Sequence, residues 1–299
     1  MHGALPPGTI ITPARRKHFF GYTHQFAAGA QTGAITAGQL GASDTIQITR
    51  DADFLRYGSV GIITPAGAGQ VKLVYQVNSG RRLSSKPLYI AGTLDQQFPH
   101  WLTQAERLRG GDNFIAFVDD RQAVTVAATL RVLHIGVKEF PALLEPARAY
   151  HSQEPFSYVA DYTAEGLGAI AASKTVPTAV TIDADADFEI WKIMIVSDSQ
   201  DATLDIISSY KAIGWFNTPA YLTNLGATGF NSSPSTGGWP FRLPLPVYLP
   251  FGSALQVIAT DLSAASNRMQ VIFEGRKLMP PGGLPIDSRL LMQYEGSPA

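Results

Sequence analysis

The chain contains no cysteine, which excludes a disulfide framework, a thiolate nucleophile and any cysteine-ligated metal site. Charge is also scarce. Asp, Glu, Lys and Arg make up 16% of the 299 residues, against roughly 25% in an average soluble domain, and the net charge is −1. A nucleic-acid binder advertises itself by an excess of Lys and Arg, and none is present. Nucleic-acid contact is therefore expected only through the dense basic run Arg15-Arg16-Lys17-His18 near the N-terminus. No window approaches the roughly 18 unbroken apolar residues of a membrane-spanning helix, so no membrane span is expected. The first 13 residues lack the charged-then-apolar pattern of a secretory leader, and synthesis without a standard export signal is the expectation.

Recognisable catalytic patterns are missing too. The six histidines are His2, His18, His24, His100, His134 and His151. No two of them share the close spacing that gathers metal ligands. His134 falls in an apolar strand and reads as structural, and His100 is placed in a loop beside Trp101. Asp183, Asp185 and Asp187 alternate like the opening of a calcium loop. That loop requires Gly at its sixth place and Glu at its twelfth, and Phe188 and Met194 stand there. There is no Gly-x-Ser-x-Gly elbow and no phosphate-cradling glycine loop. The chain is read as non-enzymatic, with no cofactor and no metal.

What the sequence does contain is a repeat. Asp51-Ala-Asp-Phe54 recurs as Asp185-Ala-Asp-Phe188, 134 residues on. Ile46-Gln-Ile48 matches Val180-Thr-Ile182, Phe20-Gly-Tyr22 matches Phe156-Ser-Tyr158, and Lys86-Pro-Leu-Tyr89 matches Thr218-Pro-Ala-Tyr221. Near the close, Ile135-Gly-Val-Lys138 stands against Glu274-Gly-Arg-Lys277. Matches kept in order along a whole unit indicate duplication. The units expected are 20–140 and 156–278, with a proline-bearing linker at 141–155 and proline-rich arms at 1–19 and 279–299.

Within each unit the pattern is that of strands. Thr45–Thr49, Gln70–Tyr75 and Val124–Val126 alternate apolar and polar residues, as do Ala179–Ile182, Glu189–Val196 and Met269–Phe273. Such alternation is the signature of half-buried strands. Twenty-eight glycines and 20 prolines leave long helices little room. The fold expected is all-β, two tandem duplicated β-sandwich or jelly-roll domains with extended terminal arms, and Phe54 and Phe188 should anchor equivalent core positions.

The tryptophans are Trp101, Trp191, Trp215 and Trp239. Trp191 lies in an alternating strand and is expected in the core. Trp215 and Trp239 fall in loop-rich sequence, beside the longest polar loop, Phe230-Asn231 to Gly238. Trp215, Trp239, Phe230, Asn231, Arg15 and Arg16 are therefore the candidate partner-contact residues. Exposed tryptophans would also suit stacking on a sugar, which keeps a carbohydrate- or receptor-binding module as the alternative.

The repeated Phe-x-Tyr, Asp-Ala-Asp-Phe and Pro-x-Tyr elements, Trp239-Pro-Phe-x-Leu-Pro-x-Pro246 and the ending Phe273-Glu-Gly-Arg-Lys277 resemble jelly-roll virion proteins of bacteriophages. The resemblance is to double jelly-roll capsid proteins of tailless phages and to capsid decoration or collar proteins of tailed phages. It implies a structural subunit made in the host cytoplasm and located in the virion. Its partners would be copies of itself and other virion proteins, with glycan or receptor contact as the alternative use of the surface. Low charge and the absence of a catalytic cluster suit a chain that buries much of its surface against neighbours.

Overall fold

The computed structural model describes residues 15–26, 43–64, 71–78, 80–83, 88–92, 100–121, 129–144, 152–162, 174–229, 241–263 and 267–279. Among these residues the fold is all-β apart from two short 3-10 turns. The strands of the first half are β1 (Arg15–Phe26), β2 (Ser43–Gln47), β3 (Asp53–Thr64), β4 (Val71–Val77), β5 (Arg81–Arg82), β6 (Leu88–Gly92), β7 (His100–Leu108), β8 (Asn113–Arg121) and β9 (Thr129–Leu144). Those of the second half are β10 (Ser152–Asp161), β11 (Thr175–Thr181), β12 (Asp187–Ser197), β13 (Ala202–Ser208), β14 (Ile213–Gly214), β15 (Ala220–Tyr221), β16 (Thr228–Gly229), β17 (Phe241–Leu249), β18 (Ala254–Asp261) and β19 (Met269–Met279).

Hydrogen bonding joins the first half into one nine-stranded sheet, in which β6 pairs with both β3 and β4 and so links a β1-β9-β3-β7 side to a β2-β8-β4-β5 side. The second half runs β10-β19-β12-β17 and β11-β18-β13 with β14 and β15. In both, the first strand pairs with the last and the second with the last but one, which is the wrapping of a jelly roll. The long strands alternate inward and outward as their sequence does. Phe20, Tyr22 and Phe26 point into the first sandwich, while Phe19 points out of it and is nonetheless only 1% exposed.

The two halves share a buried Phe, its Tyr contact and a strand bulge. Phe54 and Phe188 are both fully buried. Tyr22 meets Phe54 edge-on at 4.9 Å and 82°, and Tyr158 meets Phe188 at 4.8 Å and 82°. The Thr49 backbone N–H donates to the Tyr22 hydroxyl at 3.1 Å, and the Asp183 N–H donates to that of Tyr158 at 2.9 Å. β3 carries a register shift between Arg56 and Gly58, and β12 carries one between Ile190 and Lys192. An extra residue of this kind bends its strand and reverses the facing that alternation assigns. The partner strand answers each bulge with a glycine. A Cβ on Gly136 would strike the Leu55 carbonyl and the Phe54 ring, and one on Gly275 would strike the Glu189 carbonyl.

Several expectations change here. Strand β1 starts at Arg15 and pairs with β9, so residues 15–19 belong to the sheet rather than to an arm. Of the basic run, Lys17 is exposed at the sheet edge and Arg16 is buried. β9 reaches Leu144 and β10 begins at Ser152, which shortens the linker at both ends. His100 and Trp101 open a strand, not a loop. Trp191, expected in the core, is 44% exposed, because it is the extra residue of the β12 bulge and both flanking isoleucines, Ile190 and Ile193, turn inward instead.

Candidate functional site

The first candidate surface is the one between the halves. The outward face of β1, β9 and β3 carries Phe19, Leu133, Ile135, Val60 and Ile62, each at most 1% exposed. They join the core of the second half in one continuous cluster. The cover comes from the segment after β13. Trp215 stacks edge-on against Phe19 at 5.4 Å, while its other side approaches Phe273 of the second core at 6.2 Å. Phe216 and Phe241 each contact Phe19 at 5.9 Å. Main-chain bonds fix the placement, with Gly21 N–H donating to Trp215 O at 2.8 Å and Asn217 N–H to Gly21 O at 3.0 Å. Gly21 is required because a Cβ there would lie 2.8 Å from the Phe216 ring. The Asn224 amide adds a bond to Val60 O at 3.0 Å, and the Arg131 guanidinium lies over the Tyr221 ring.

Trp215 is thus wholly buried, which corrects its expected exposure and removes it from any stacking platform on the surface. Arg16 is buried as well and lies over the Phe140 ring at 5.5 Å. Arg15 is the first residue of β1. Trp239, Phe230 and Asn231 lie outside the described residues. Of the six candidate contact residues, Trp215 and Arg16 are therefore the two whose side chains the structure places, both in buried positions. The exposed large apolar side chains among the described residues are Trp101, Phe156, Val159, Trp191 and Leu262.

Trp191 and Val159 lie on the outward face of the second half, whereas Phe156 turns with Tyr158 toward Phe188 on the other face. A groove of about 810 Å3 runs over the outward face of β10, β19 and β12, lined by Pro155, Phe156, Ser157, Trp191 and Arg242 among others. Lys192 pairs with Glu274 across its floor, and Arg276 pairs with Glu189 at 2.7 Å while lying over the Trp191 ring at 5.0 Å. These are half-exposed pairs that orient side chains without contributing much stability.

The second feature is a polar chain inside the first sandwich that no short-range sequence signal marked. His24 Nε2 lies 2.9 Å from the Phe114 carbonyl, so that nitrogen carries the proton and donates. His24 Nδ1 is then an acceptor and takes the His134 Nε2–H at 2.8 Å. His134 Nδ1 in turn accepts the Ser59 hydroxyl at 2.8 Å, and Arg56 donates to Ser59 Oγ at 3.3 Å. Arg56 is itself held by Glu106 and stacks on Tyr75 and Phe114. Every role is filled only when both imidazoles are neutral. Burial pushes the His24 pKa down to about 4, and burial with the neighbouring His24 and Arg56 charges pushes that of His134 well below its ordinary value. Ser59 and His134 have the spacing of a nucleophile and its base, but both are buried in the core, away from any substrate.

The aspartates of the repeat are tied to lysine rather than arranged for a metal. Lys277 reaches Asp183 at 2.9 Å and Asp185 at 2.7 Å, and Lys138 reaches Asp51 at 3.2 Å. The lysine bond holds the Asp183 carboxyl below its usual range. Asp187 instead accepts from the Tyr248 hydroxyl and the Phe251 N–H. No helix among the described residues is long and apolar enough to cross a membrane.

No family model matches the chain, and no curated protein does. Among solved structures, that of the Sulfolobus turreted icosahedral virus aligns at 6% identity and a TM-score of 0.26, over 88% of this chain and 61% of the other. The chain therefore spans less than two thirds of that neighbour. The triple jelly-roll protein of an archaeal virus turret gives 8% identity and a TM-score of 0.25, over 89% and 80%. The T13 particle of infectious bursal disease virus gives 9% and 0.26, over 91% and 71%. Scores of this size define no common fold, and the architecture above stands on the chain's own strand pairing.

Proposed function

We propose that the chain is a non-enzymatic structural subunit of a virus particle, a bacteriophage capsid protein or a capsid-associated decoration or collar protein. In this reading its two halves, 20–140 and 156–278, arose by duplication of one jelly roll. The observation that carries the reading is the lateral contact between the halves. One sandwich lies on the outer sheet face of another through a continuous apolar core, with Trp215 as the anchor. Side-by-side packing of like sandwiches is the contact a shell has to multiply, and a chain holding two of them presents two related sets of faces to its neighbours. The identical wrapping of the two halves and their matched bulges support duplication.

The test is the size of the purified chain across a wide concentration range, by sedimentation velocity, with electron microscopy of the assembled fraction. Concentration-driven growth to discrete assemblies is expected. Removing 1–14 and 280–299 should leave the β-domains folded and impair that growth, because proline-rich arms have little of their own to pack on. A chain that stays monomeric throughout, and gives a glycan-array signal abolished by Trp101→Ala or Trp191→Ala, would replace this reading with carbohydrate binding.

A further inference from the structure

We infer that the outward face of β10, β19 and β12 docks a second copy of this chain, in the same way that the first half's outward face receives the second half. The inference rests on the assembly reading above and assigns its surface and its partner. The pairing registers supply the correspondence. Phe19 pairs with Val137 and Pro155 with Arg276; Gly21 pairs with Ile135 and Ser157 with Glu274. Hence Pro155, Ser157 and Glu274 occupy in the second half the places of Phe19, Gly21 and Ile135, which the interface between the halves buries.

The covering segment has its counterpart too. Trp215 N–H donates to Ile206 O at 2.9 Å just beyond β14, which pairs with β13. Leu83 N–H donates to Tyr75 O at 3.0 Å just beyond β5, which pairs with β4. Leu83 therefore stands where Trp215 stands. Trp215 is inserted between two sandwiches, whereas Leu83 packs against its own core and remains partly exposed. Among the described residues, one chain thus carries an open receiving face at its second half and a free covering edge at its first. A head-to-tail contact joins the two, and a contact of that type closes into a ring or propagates.

The composition of the face fits a contact made after folding rather than during it. Val159 and Trp191 are 45% and 44% exposed, and the Lys192–Glu274 and Arg276–Glu189 pairs lie on the same face. An aromatic anchor within a polar surround is the make-up of an interface between separately folded partners. The internal contact sets Phe216 on Gly21, and the receiving face has Ser157 at the position of Gly21.

The absence of native cysteine makes the geometry directly testable. Ser157→Cys and Leu83→Cys chains are prepared separately, mixed and oxidised. A disulfide-linked dimer is expected in the mixture and in neither variant alone. Ser157→Cys chains that crosslink to each other would mean a face-to-face contact and would overturn the head-to-tail assignment. So would a mixture that associates without crosslinking. In parallel, Trp191→Glu should weaken association by at least about tenfold with an unchanged melting temperature, and Leu262→Glu, at an exposed apolar site elsewhere, should leave association intact. Full association of Trp191→Glu would sink this inference while leaving the assembly reading standing. A wild-type chain that never associates would sink both.

Discussion

The two sandwiches have the same strand order and very different interiors. Around Phe54 the first half buries Arg56, Ser59, His24 and His134 in one hydrogen-bonded line. The registers put Ile190, Ile193, Ala160 and Phe273 in those places in the second half, all of them buried and apolar. The outer faces differ in the opposite sense, apolar and covered in the first half, mixed and open in the second. What the halves share is the bulge, its facing glycine, the Tyr–Phe contact and the lysine–aspartate tie. Those features set the path of the chain. The lesson is that strand geometry constrains this fold more tightly than the chemistry of its core does.

The comparison breaks most readily at the glycines. A Cβ at Gly275 would strike the Glu189 carbonyl and lie 3.0 Å from the Phe188 ring, so Gly275→Ala should cost about 3 kcal/mol or more, read as a large loss of soluble yield or melting temperature. A near-normal melt would mean that the bulge is not the shared constraint. Trp215→Ala should cost about 3–5 kcal/mol. It should also split one calorimetric transition into two as the halves uncouple. His134→Phe imports the second half's residue but leaves Ser59 and His24 Nδ1 without their partner. Denaturant titration at neutral pH should show a loss of about 2 kcal/mol.

Acid should separate the halves without any mutation. For His24 and His134 the folded-state pKa lies below the unfolded value of 6.5. Their neutral forms therefore favour folding fully above about pH 6.5, and that contribution falls as pH drops towards about 4, while the unfolded chain takes up the protons. The loss from His24 alone should be about 3 kcal/mol by pH 4, and His134 adds in the same direction. Hydrogen exchange resolved by segment should show β1, β3 and β9 opening before β10, β12 and β19. His18, pushed down to about 3 by burial beside Arg16 and Lys138, adds to the same trend. The smallest effect is expected at the lysines. Lys277→Met should cost about 1 kcal/mol and Lys138→Met less, since one carboxylate rather than two loses its partner and all three carboxylates are half-exposed.

Much of the frame was legible in the sequence. Alternation marked the strands, apart from Val124–Val126, which lies outside the described residues, and the Asp-Ala-Asp-Phe repeat located Phe54 and Phe188 at the same buried place. What alternation cannot register is an inserted residue, which is why Trp191 faces solvent in a strand that reads as buried. Nor does local composition reveal a second sandwich. Trp215 sits in loop-like sequence and is buried because Phe19, about two hundred residues earlier, lies over it. His24 and His134 are 110 residues apart, and only the closure of β1 on β9 brings their rings into contact. The basic run failed as a tail for the same reason, since its partner strand is at the far end of the unit.

The central claim is that the open face of the second half is the counterpart of the covered face of the first and is used in the same way. An electron-microscopy reconstruction of the assembled chain tests it most directly. The account predicts a neighbouring copy's first half seated over Ser157 and Trp191, with its Leu83 edge in the place that Trp215 takes within the chain. An assembly in which that face is bare to solvent, and the copies meet through other surfaces, would contradict it.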